Sequence, residues 1–240
     1  MSVERLAELL VERQPCVVLT GAGISTESGI PDFRSPTGIW RQFDPAEVAT
    51  IDAFLANPEK VWEFYGARLG LLADVEPNDG HRTLADLEAR GLVLAVVTQN
   101  VDGLHRKAGT REIVEVHGSL ANAVCLEDGT RVPADEVELP VPRCPRCGSV
   151  LKPGVVMFGE YLPEEALEKA RRLARDAGLL LVVGSSLEVY PIAALPEETL
   201  AFGGAVAIVN RGSTSWDGQA EVVVDAGAGE TLRRLAELVA

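Results

Sequence analysis

The sequence has few cysteines, few aromatic residues and fewer basic than acidic side chains. Its 240 residues include four cysteines, and aromatic residues make up 5% of the chain. Lysine and arginine together number 22 against 36 aspartates and glutamates, which gives a formal net charge of −14. This shortage of positive charge argues against direct binding of nucleic acid, because phosphate recognition requires a basic surface. It is compatible with basic, lysine-bearing protein substrates.

Long apolar runs are absent as well. No segment approaches the ~20 consecutive apolar residues that a membrane-spanning helix needs, so we expect no membrane partner. The first residues, MSVERLAELLVERQ, form an amphipathic pattern with acidic residues and do not resemble a secretory signal. Few cysteines without an export signal favour thiols or metal ligands over disulfides. We therefore expect a cytoplasmic protein, and the sequence leaves its oligomeric state open.

Short apolar runs alternate with helical patterns along the chain. The runs are nearly continuous in hydrophobicity, which is typical of strands buried on both faces of a parallel sheet. They cover residues 16–19, 93–97, 112–116, 179–183, 205–209 and 221–224. The helical patterns cover residues 2–13, 58–73, 80–90, 163–177 and 230–239. This alternation predicts an α/β fold with helices on both faces of a parallel sheet. Residues 35–79 and 119–154 interrupt it, and we interpret them as two insertions that form a smaller lobe.

Polar residues follow the ends of three predicted strands. The segment TGAGISTESGIPDFR (20–34) follows the first strand, TQNVDGLH (98–105) follows the second, and His117 follows the third. Polar groups at the carboxyl edge of an open α/β sheet are what a ligand crevice requires. The sequence therefore predicts a ligand site at this edge.

The glycine-rich turn at residues 21–23 permits close approach of a pyrophosphate at a helix start. However, Thr26 stands where a dehydrogenase fingerprint has its third glycine. No second strand ends in an acidic residue ~20 positions further on, as ribose recognition in that fold would need. A tight turn without a ligand is the plain alternative. The polar loop that follows, with Ser25 and residues 32–34, favours a dinucleotide that is consumed rather than reduced.

These motifs resemble those of the sirtuin family, the NAD-dependent protein deacylases. The matching segments appear in family order as GAGISTESGIPDFR (21–34), TQNVDGLH (98–105), HG (117–118), CPRCG (144–148), VVMFGE (155–160), VVGSSLEVYP (182–191) and IVN (208–210). The resemblance implies an α/β fold in which a Rossmann-like parallel-sheet domain carries a small inserted lobe. The domain would comprise residues 1–34, 80–118 and 155–240. A helical insertion at 35–79 and a zinc-ribbon-like insertion at 119–154 would form the lobe.

The resemblance also implies which residues contact NAD. They are Gly21, Ala22, Gly23, Asp32, Phe33, Arg34, Gln99, Asn100, Asp102, Gly184, Ser185, Ser186, Asn210 and Ala228. Asn100 and Asp102 would line the pocket where the glycosidic bond breaks, and His117 would be the general base. An imidazole suits that role because it titrates near neutrality and can take a proton from a ribose hydroxyl. The roles of His81 and His105 stay open. His81 could simply start a helix, and His105 could simply pack beside the pocket.

The implied reaction transfers an acyl group from lysine to NAD. The acyl oxygen attacks the nicotinamide ribose, nicotinamide leaves, and His117 then activates a ribose hydroxyl that captures the acyl carbon. The products are free lysine, nicotinamide and O-acyl-ADP-ribose. Residues 154–160 are extended and apolar, so Val156, Phe158 and Gly159 are predicted to bind the substrate peptide by strand addition. A seventh core strand is the alternative for this segment.

A tyrosine and an arginine indicate the acyl group. Val61, Tyr65, Arg68, Leu69 and Leu72 fall within one sector of a helical wheel. Sirtuins of class III, which remove succinyl or malonyl groups, carry a Tyr-x-x-Arg pair at this place, and the chain is most similar to them. A guanidinium and a phenol would bind the free carboxylate of such an acyl group. Pairing of Arg68 with a local acid, Glu63 or Asp74, is the alternative.

Four residues of the second insertion have the spacing of a structural zinc site. Cys144 and Cys147 form one half in CPRCG, and Cys125 begins the other half. Asp128 stands where the family usually has the fourth cysteine, so the site would hold Zn²⁺ through three thiolates and one carboxylate. A weakly held or absent metal is the alternative.

Two other functions remain open at this point. An NAD hydrolase or mono-ADP-ribosyltransferase would use the same pocket with water or another nucleophile. An NAD-sensing adaptor without catalysis would need no general base, so His117 disfavours it. The residues favour acyl-lysine proteins or peptides as partners.

Overall fold

The computed structural model describes residues 2–240 of the chain. The strands in that range are β1 (Cys16–Thr20), β2 (Ala95–Thr98), β3 (Ile113–Glu115), β4 (Gly118–Cys125), β5 (Arg131–Pro133), β6 (Leu151–Val155), β7 (Leu179–Val183), β8 (Ala205–Val209) and β9 (Val222–Val224). The α-helices are α1 (Val3–Glu12), α2 (Pro45–Val48), α3 (Ile51–Ala56), α4 (Pro58–Ala73), α5 (Asp79–Ala89), α6 (Leu104–Lys107), α7 (Glu164–Asp176), α8 (Leu195–Ala201) and α9 (Ala228–Leu238). The predicted α/β fold class is confirmed.

Six of the strands form one parallel sheet in the order β3-β2-β1-β7-β8-β9. Strand β1 pairs with β2 on one side and with β7 on the other, so Val18 lies beside both Val96 and Leu181. The chain order reverses between β1 and β7. In open α/β sheets, ligands bind outside the carboxyl ends of the strands at such a switch point.

Helices cover both faces of this sheet, which explains the continuous hydrophobicity of its central strands. Helices α1, α5 and α9 bury leucines such as Leu9, Leu84 and Leu232 against one face. Helices α7 and α8 pack Ala170 and Leu195 against the other face. Each fully buried leucine contributes about 1.5–3 kcal/mol relative to an exposed one. None of the helices within residues 2–240 has the length and apolarity that crossing a membrane would require.

A three-stranded antiparallel sheet and helices α2–α4 form a second packed region. The strand order is β5-β4-β6. Trp62 of α4 is buried and donates its indole N–H to the carbonyl of Leu151 in β6 at 2.6 Å. Phe54, Tyr65 and Leu120 belong to the same hydrophobic cluster. The two predicted insertions, residues 35–79 and 119–154, therefore share one hydrophobic core.

The segment after β6 does not join the large sheet, so the seventh core strand considered for residues 154–160 is wrong. Strand β6 pairs with β4, and the chain then leaves regular structure. The amide of Phe158 donates to the carbonyl of Ala49 at 2.9 Å, and Ile51 donates to the carbonyl of Phe158 at 3.0 Å. These bonds attach residues 156–160 to the start of α3.

Candidate active site

A cavity of about 850 Å³ opens at the carboxyl edge of the large sheet. Every residue predicted to contact the dinucleotide or the substrate lines it. These residues are Gly21, Ala22, Gly23, Asp32, Phe33, Arg34, Tyr65, Arg68, Gln99, Asn100, Asp102, His117, Val156, Phe158, Gly159, Gly184, Ser185, Ser186, Asn210 and Ala228. The structure brings them together at one site, and the role of each stays a prediction.

The glycine-rich turn packs its backbone directly on the turn that follows β7. A Cβ on Gly21 would lie 2.8 Å from the carbonyl oxygen of Gly184. A Cβ on Gly23 would lie 2.8 Å from the Cα of Gly184. Gly184 itself has φ +62°, a conformation that favours glycine. The turn continues as a 3₁₀ helix (Ala22–Ser28). The glycines are therefore required by the contact between two strand ends, and the turn they form also lines the cavity.

Asn100 and Asp102 are held in place by Ser25 from the glycine-rich turn. The Asn100 amide donates to the carbonyl of Gly21 and to Ser25 Oγ, both at 3.1 Å. Ser25 Oγ donates to Asp102 Oδ2 at 2.7 Å. The other carboxylate oxygen of Asp102 accepts the amide of Leu104 at 2.9 Å. This network fixes an amide and a carboxylate side by side on the cavity wall.

His81 and His105 lie behind that wall and do not line the cavity. Both side chains are fully or nearly fully buried, and their ring centroids are 4.9 Å apart. His105 Nε2 lies 2.9 Å from Thr20 Oγ1, and His81 Nε2 lies 3.4 Å from Ser25 Oγ. Burial lowers the pKa of His81 to about 4 and that of His105 to about 3. Both rings are therefore neutral and support the site from inside.

His117 has a single defined tautomer. Its Nδ1 lies 3.1 Å from the backbone carbonyl oxygen of Gln99. Because a carbonyl oxygen only accepts, Nδ1 must carry the proton and Nε2 must carry the lone pair in the neutral ring. Burial lowers the pKa of His117, and the hydrogen bond to Gln99 opposes that shift. The ring is therefore a neutral imidazole with a basic nitrogen at neutral pH.

The guanidinium of Arg68 packs on two aromatic rings. Its guanidinium carbon is 5.2 Å from the ring centroid of Phe33 and 5.7 Å from that of Phe64. It forms no ion pair among residues 2–240, so the pairing with Glu63 or Asp74 considered above is wrong. Burial lowers the pKa of Arg68, but an arginine remains charged at neutral pH. Burial also raises the pKa of Tyr65 to about 12, so the neighbouring phenol keeps its proton.

The chain is closely similar to known proteins over nearly its whole length. The family model described as Sir2 family matches residues 21–191. A protein named NAD-dependent protein deacylase 2 from Pyrobaculum aerophilum is 45% identical, across 98% of this chain and 94% of the relative. This chain belongs to the Sir2 family. A relative from Geobacillus kaustophilus named NAD-dependent protein deacetylase 1 is 48% identical, across 93% of both proteins.

Solved Sir2 structures share the fold. A complex of a Sir2 homologue with ADP-ribose has a TM-score of 0.96 at 38% identity and covers 100% of this chain and 96% of that one. A Sir2 complex with a deacetylated p53 peptide and 3′-O-acetyl-ADP-ribose has a TM-score of 0.94 at 40% identity and covers 99% and 98%. The resemblance inferred from the sequence motifs is confirmed at the level of the family.

The Sir2 chain also brings its four candidate metal ligands together. The ligand atoms of Cys125, Asp128, Cys144 and Cys147 all lie within 4.8 Å of one another. The sulfurs of Cys125 and Cys147 are 3.5 Å apart, and Asp128 oxygens lie 3.8 Å from the sulfur of Cys144. Tetrahedral zinc with bonds near 2.3 Å places neighbouring sulfurs about 3.8 Å apart. The donor set and spacing fit zinc, and none of the four residues lines the cavity.

Several residues of the site carry no sequence signal that assigns them. Glu27, Glu160 and Arg211 line the cavity, and Lys152 is buried beside it. Lys152 Nζ donates to Glu160 Oε2 at 3.0 Å, and the same carboxylate oxygen accepts the amide of Met157 at 2.8 Å. A buried lysine with a carboxylate partner braces residues 156–160 from inside. Sequence spacing alone does not distinguish such a lysine from an exposed one.

Proposed function

We propose that this Sir2 protein is an NAD-dependent protein-lysine deacylase. It removes acetyl, succinyl and malonyl groups from lysine side chains and produces nicotinamide and O-acyl-ADP-ribose. The observation that carries the proposal is the geometry of His117. His117, whose basic nitrogen is Nε2, lines the cavity that also contains the glycine-rich turn and the Asn100–Asp102 pair. The names of the similar proteins and the ligands in their structures support the same activity.

NAD is a substrate in this proposal, and each part of the cavity has a task. The turn at residues 21–23 and the residues 184–186 would contact its phosphates and ribose. Residues 32–34 would enclose the nicotinamide end, next to the fixed pair Asn100 and Asp102. Bound NAD supplies a ribose with nicotinamide as a leaving group. His117 would take the proton from a ribose hydroxyl, for which its lowered pKa keeps it available at neutral pH.

The substrate peptide would bind beside residues 156–160. Phe158 is 46% exposed although it is large and apolar, and it lines the cavity with Val156 and Gly159. The segment is held on one side by Ala49 and Ile51 and on the other by the pair of Lys152 and Glu160. A rigid extended edge of this kind suits peptide recognition through main-chain hydrogen bonds.

Selectivity for acidic acyl groups would come from Arg68 and Tyr65. A guanidinium that is largely buried without a carboxylate partner is costly unless a ligand provides the counter-charge. The carboxylate of a succinyl or malonyl group would provide it and would also accept a hydrogen bond from the Tyr65 phenol. An acetyl group lacks that carboxylate and would leave Arg68 on the rings of Phe33 and Phe64.

The activity is tested with acetyl-lysine and succinyl-lysine peptides in the presence and absence of NAD. We expect nicotinamide release that equals peptide deacylation, and no deacylation without NAD. His117→Ala should lower the rate by about 10²–10⁴-fold, as expected for loss of a general base. Free ADP-ribose formed without any peptide would instead identify an NAD hydrolase. Full deacylation by His117→Ala would remove the basis of the proposal.

The acyl selectivity is tested with Arg68→Met. We expect kcat/KM for succinyl-lysine to fall by about 10²-fold, the typical effect of losing a charge-assisted contact of 2–3 kcal/mol. The value for acetyl-lysine should change by less than about threefold, since that substrate makes no such contact. Arg172→Met removes an exposed arginine of α7 as a matched control and should alter neither value. An equal fall on both peptides would show that Arg68 does not select the acyl group.

We also propose that Cys125, Asp128, Cys144 and Cys147 hold one structural zinc ion. Hydrogen bonds from Thr130 lower the pKa of Asp128 to about 2, so the carboxylate is ionised and available as a ligand. The ion would connect the chain around β4 to the turn before β6. It has no task in the reaction, because its ligands lie outside the cavity.

A further inference from the structure

A carboxylate of the cavity, Glu27, lies at the amino end of helix α9. Glu27 Oε1 accepts the amide of Gly229 at 3.1 Å, across 202 positions of the chain. The residue that precedes the helix, Gly227, has no side chain to perform this function. Asn210 and Ala228 line the same cavity. The resemblance to the sirtuins implies that the adenosine half of NAD lies beside these two residues.

An unpaired guanidinium lies next to this carboxylate. A Cβ placed on Gly227 would be 2.8 Å from Arg211 Nη2 and 2.8 Å from Glu27 Oε1. The two charged groups therefore flank the same point of the cavity wall. The Arg211 guanidinium forms no hydrogen bond or ion pair among residues 2–240.

This pair of charges has a consequence for the adenosine ribose. In dinucleotide-binding α/β folds, a carboxylate that accepts the ribose 2′-hydroxyl selects NAD, and an arginine accommodates the 2′-phosphate of NADP. The usual carboxylate follows the second strand, but here β2 ends at Thr98 and is followed by Gln99. Glu27 can supply the missing acidic group from the 3₁₀ helix instead.

Glu27 also occupies the place that would otherwise attract a phosphate. The amino end of an α-helix favours anions through its free amides and its dipole. In this chain the side chain of Glu27 accepts the Gly229 amide. A 2′-phosphate would therefore meet a carboxylate, and two neighbouring anionic groups repel each other.

We infer that Glu27 is the specificity-determining residue that selects NAD over NADP, and that Arg211 would receive a 2′-phosphate if the charge of Glu27 were removed. This inference rests on the proposed function, because it requires the adenosine ribose to lie beside Gly227. It concerns the choice between two dinucleotides and not the deacylation chemistry.

The test measures the dissociation constants of NAD and NADP by calorimetry for the full chain and for Glu27→Gln. The amide keeps a hydrogen-bond acceptor for the 2′-hydroxyl and loses the charge. We expect the ratio of the NADP to the NAD dissociation constant to fall by about tenfold or more. Glu230→Gln removes an exposed charge from the first turn of the same helix outside the cavity and should leave the ratio unchanged. In Glu27→Gln combined with Arg211→Met, the gain in NADP affinity should disappear.

The possible outcomes separate this inference from the proposed function. If the unmodified protein binds NAD and deacylates peptides but Glu27→Gln keeps the original ratio, the inference alone is overturned. Equal affinity of the unmodified protein for NAD and NADP, or the same change with Glu230→Gln, would also overturn it. If the unmodified protein binds no NAD, both the inference and the proposed function are wrong.

Discussion

At the scale of single residues, the backbone determines the chemistry of His117. The carbonyl of Gln99 fixes the tautomer, and Gln99 in turn donates its side-chain amide to Ser185 Oγ at 2.8 Å. Strand ends β2 and β7 are thereby connected through the residue that orients the imidazole. The sequence predicts His117 from its position after a strand, but the carbonyl that orients it could not be predicted, because backbone contacts leave no trace in side-chain identity.

The proposed role of His117 as general base predicts how the deacylation rate depends on pH. A general base works only when unprotonated, so kcat/KM should fall as the pH decreases through the pKa of His117. Burial places that pKa below the ordinary value of 6.5, so the fall should occur below pH 6.5 and not around pH 7 to 8. A profile of kcat/KM against pH measures this, with NAD binding measured at the same pH values to separate the two effects. An acid limb centred above 6.5 would contradict the assigned cause.

At the scale of elements, the length of a segment decides how well the sequence predicts it. The pattern over residues 58–73 predicts α4 with its observed bounds, and the apolar run at 179–183 coincides with β7. Helices α2, α3 and α6 have four to six residues and lack two full periods of the pattern. Strand β4 has no regular alternation of buried and exposed residues, because its pairing with β6 shifts register between Gly118 and Ala123. Such short elements are stabilised by tertiary contacts, and these contacts cannot be predicted from the local pattern of apolar residues.

The second sheet should depend on metal at its cysteine cluster. Protein purified without added zinc should contain about one zinc ion per chain, since a structural site contributes to folding. We expect Asp128→Ala to lose the metal at lower chelator concentration and to unfold at lower temperature. Asp135→Ala removes an exposed acid of the same insertion and should retain the metal. Metal analysis and thermal unfolding measure both effects, and a zinc content near zero in the unmodified protein would discard the assignment.

At the scale of the whole molecule, the site is assembled by contacts between distant parts of the chain. Ser25 contacts both His81 and Asn100, which lie 56 and 75 positions further along the chain. The parallel sheet makes this convergence predictable in outline, because all its strands end at one edge. Which buried groups support that edge could not be predicted. The rings of His81 and His105 lie against Ser25 and Thr20, and no pattern in the sequence indicates these contacts.

These buried histidines make the stability of the whole molecule depend on pH. In the folded state their pKa values are lowered by burial to about 4 and about 3, whereas the unfolded chain protonates them near 6.5. Between pH 6.5 and 4 the unfolded state therefore binds more protons, and the free energy of unfolding must decrease as the pH falls. From pH 6.5 to 5 the two groups together contribute a loss of roughly 3 kcal/mol, because the unfolded histidines are half protonated at pH 6.5 and almost fully protonated at pH 5.

Urea unfolding at several pH values between 7.5 and 5 tests this dependence. His105→Gln removes one of the two titrating groups and keeps a polar partner for Thr20. We expect that variant to lose roughly half as much unfolding free energy over the same pH range, whatever its stability at pH 7.5. His117→Gln should change the slope less, because the hydrogen bond to Gln99 opposes the effect of burial on the pKa of His117. A slope in His105→Gln equal to that of the unmodified protein would mean that the buried pair is not the source of the acid sensitivity.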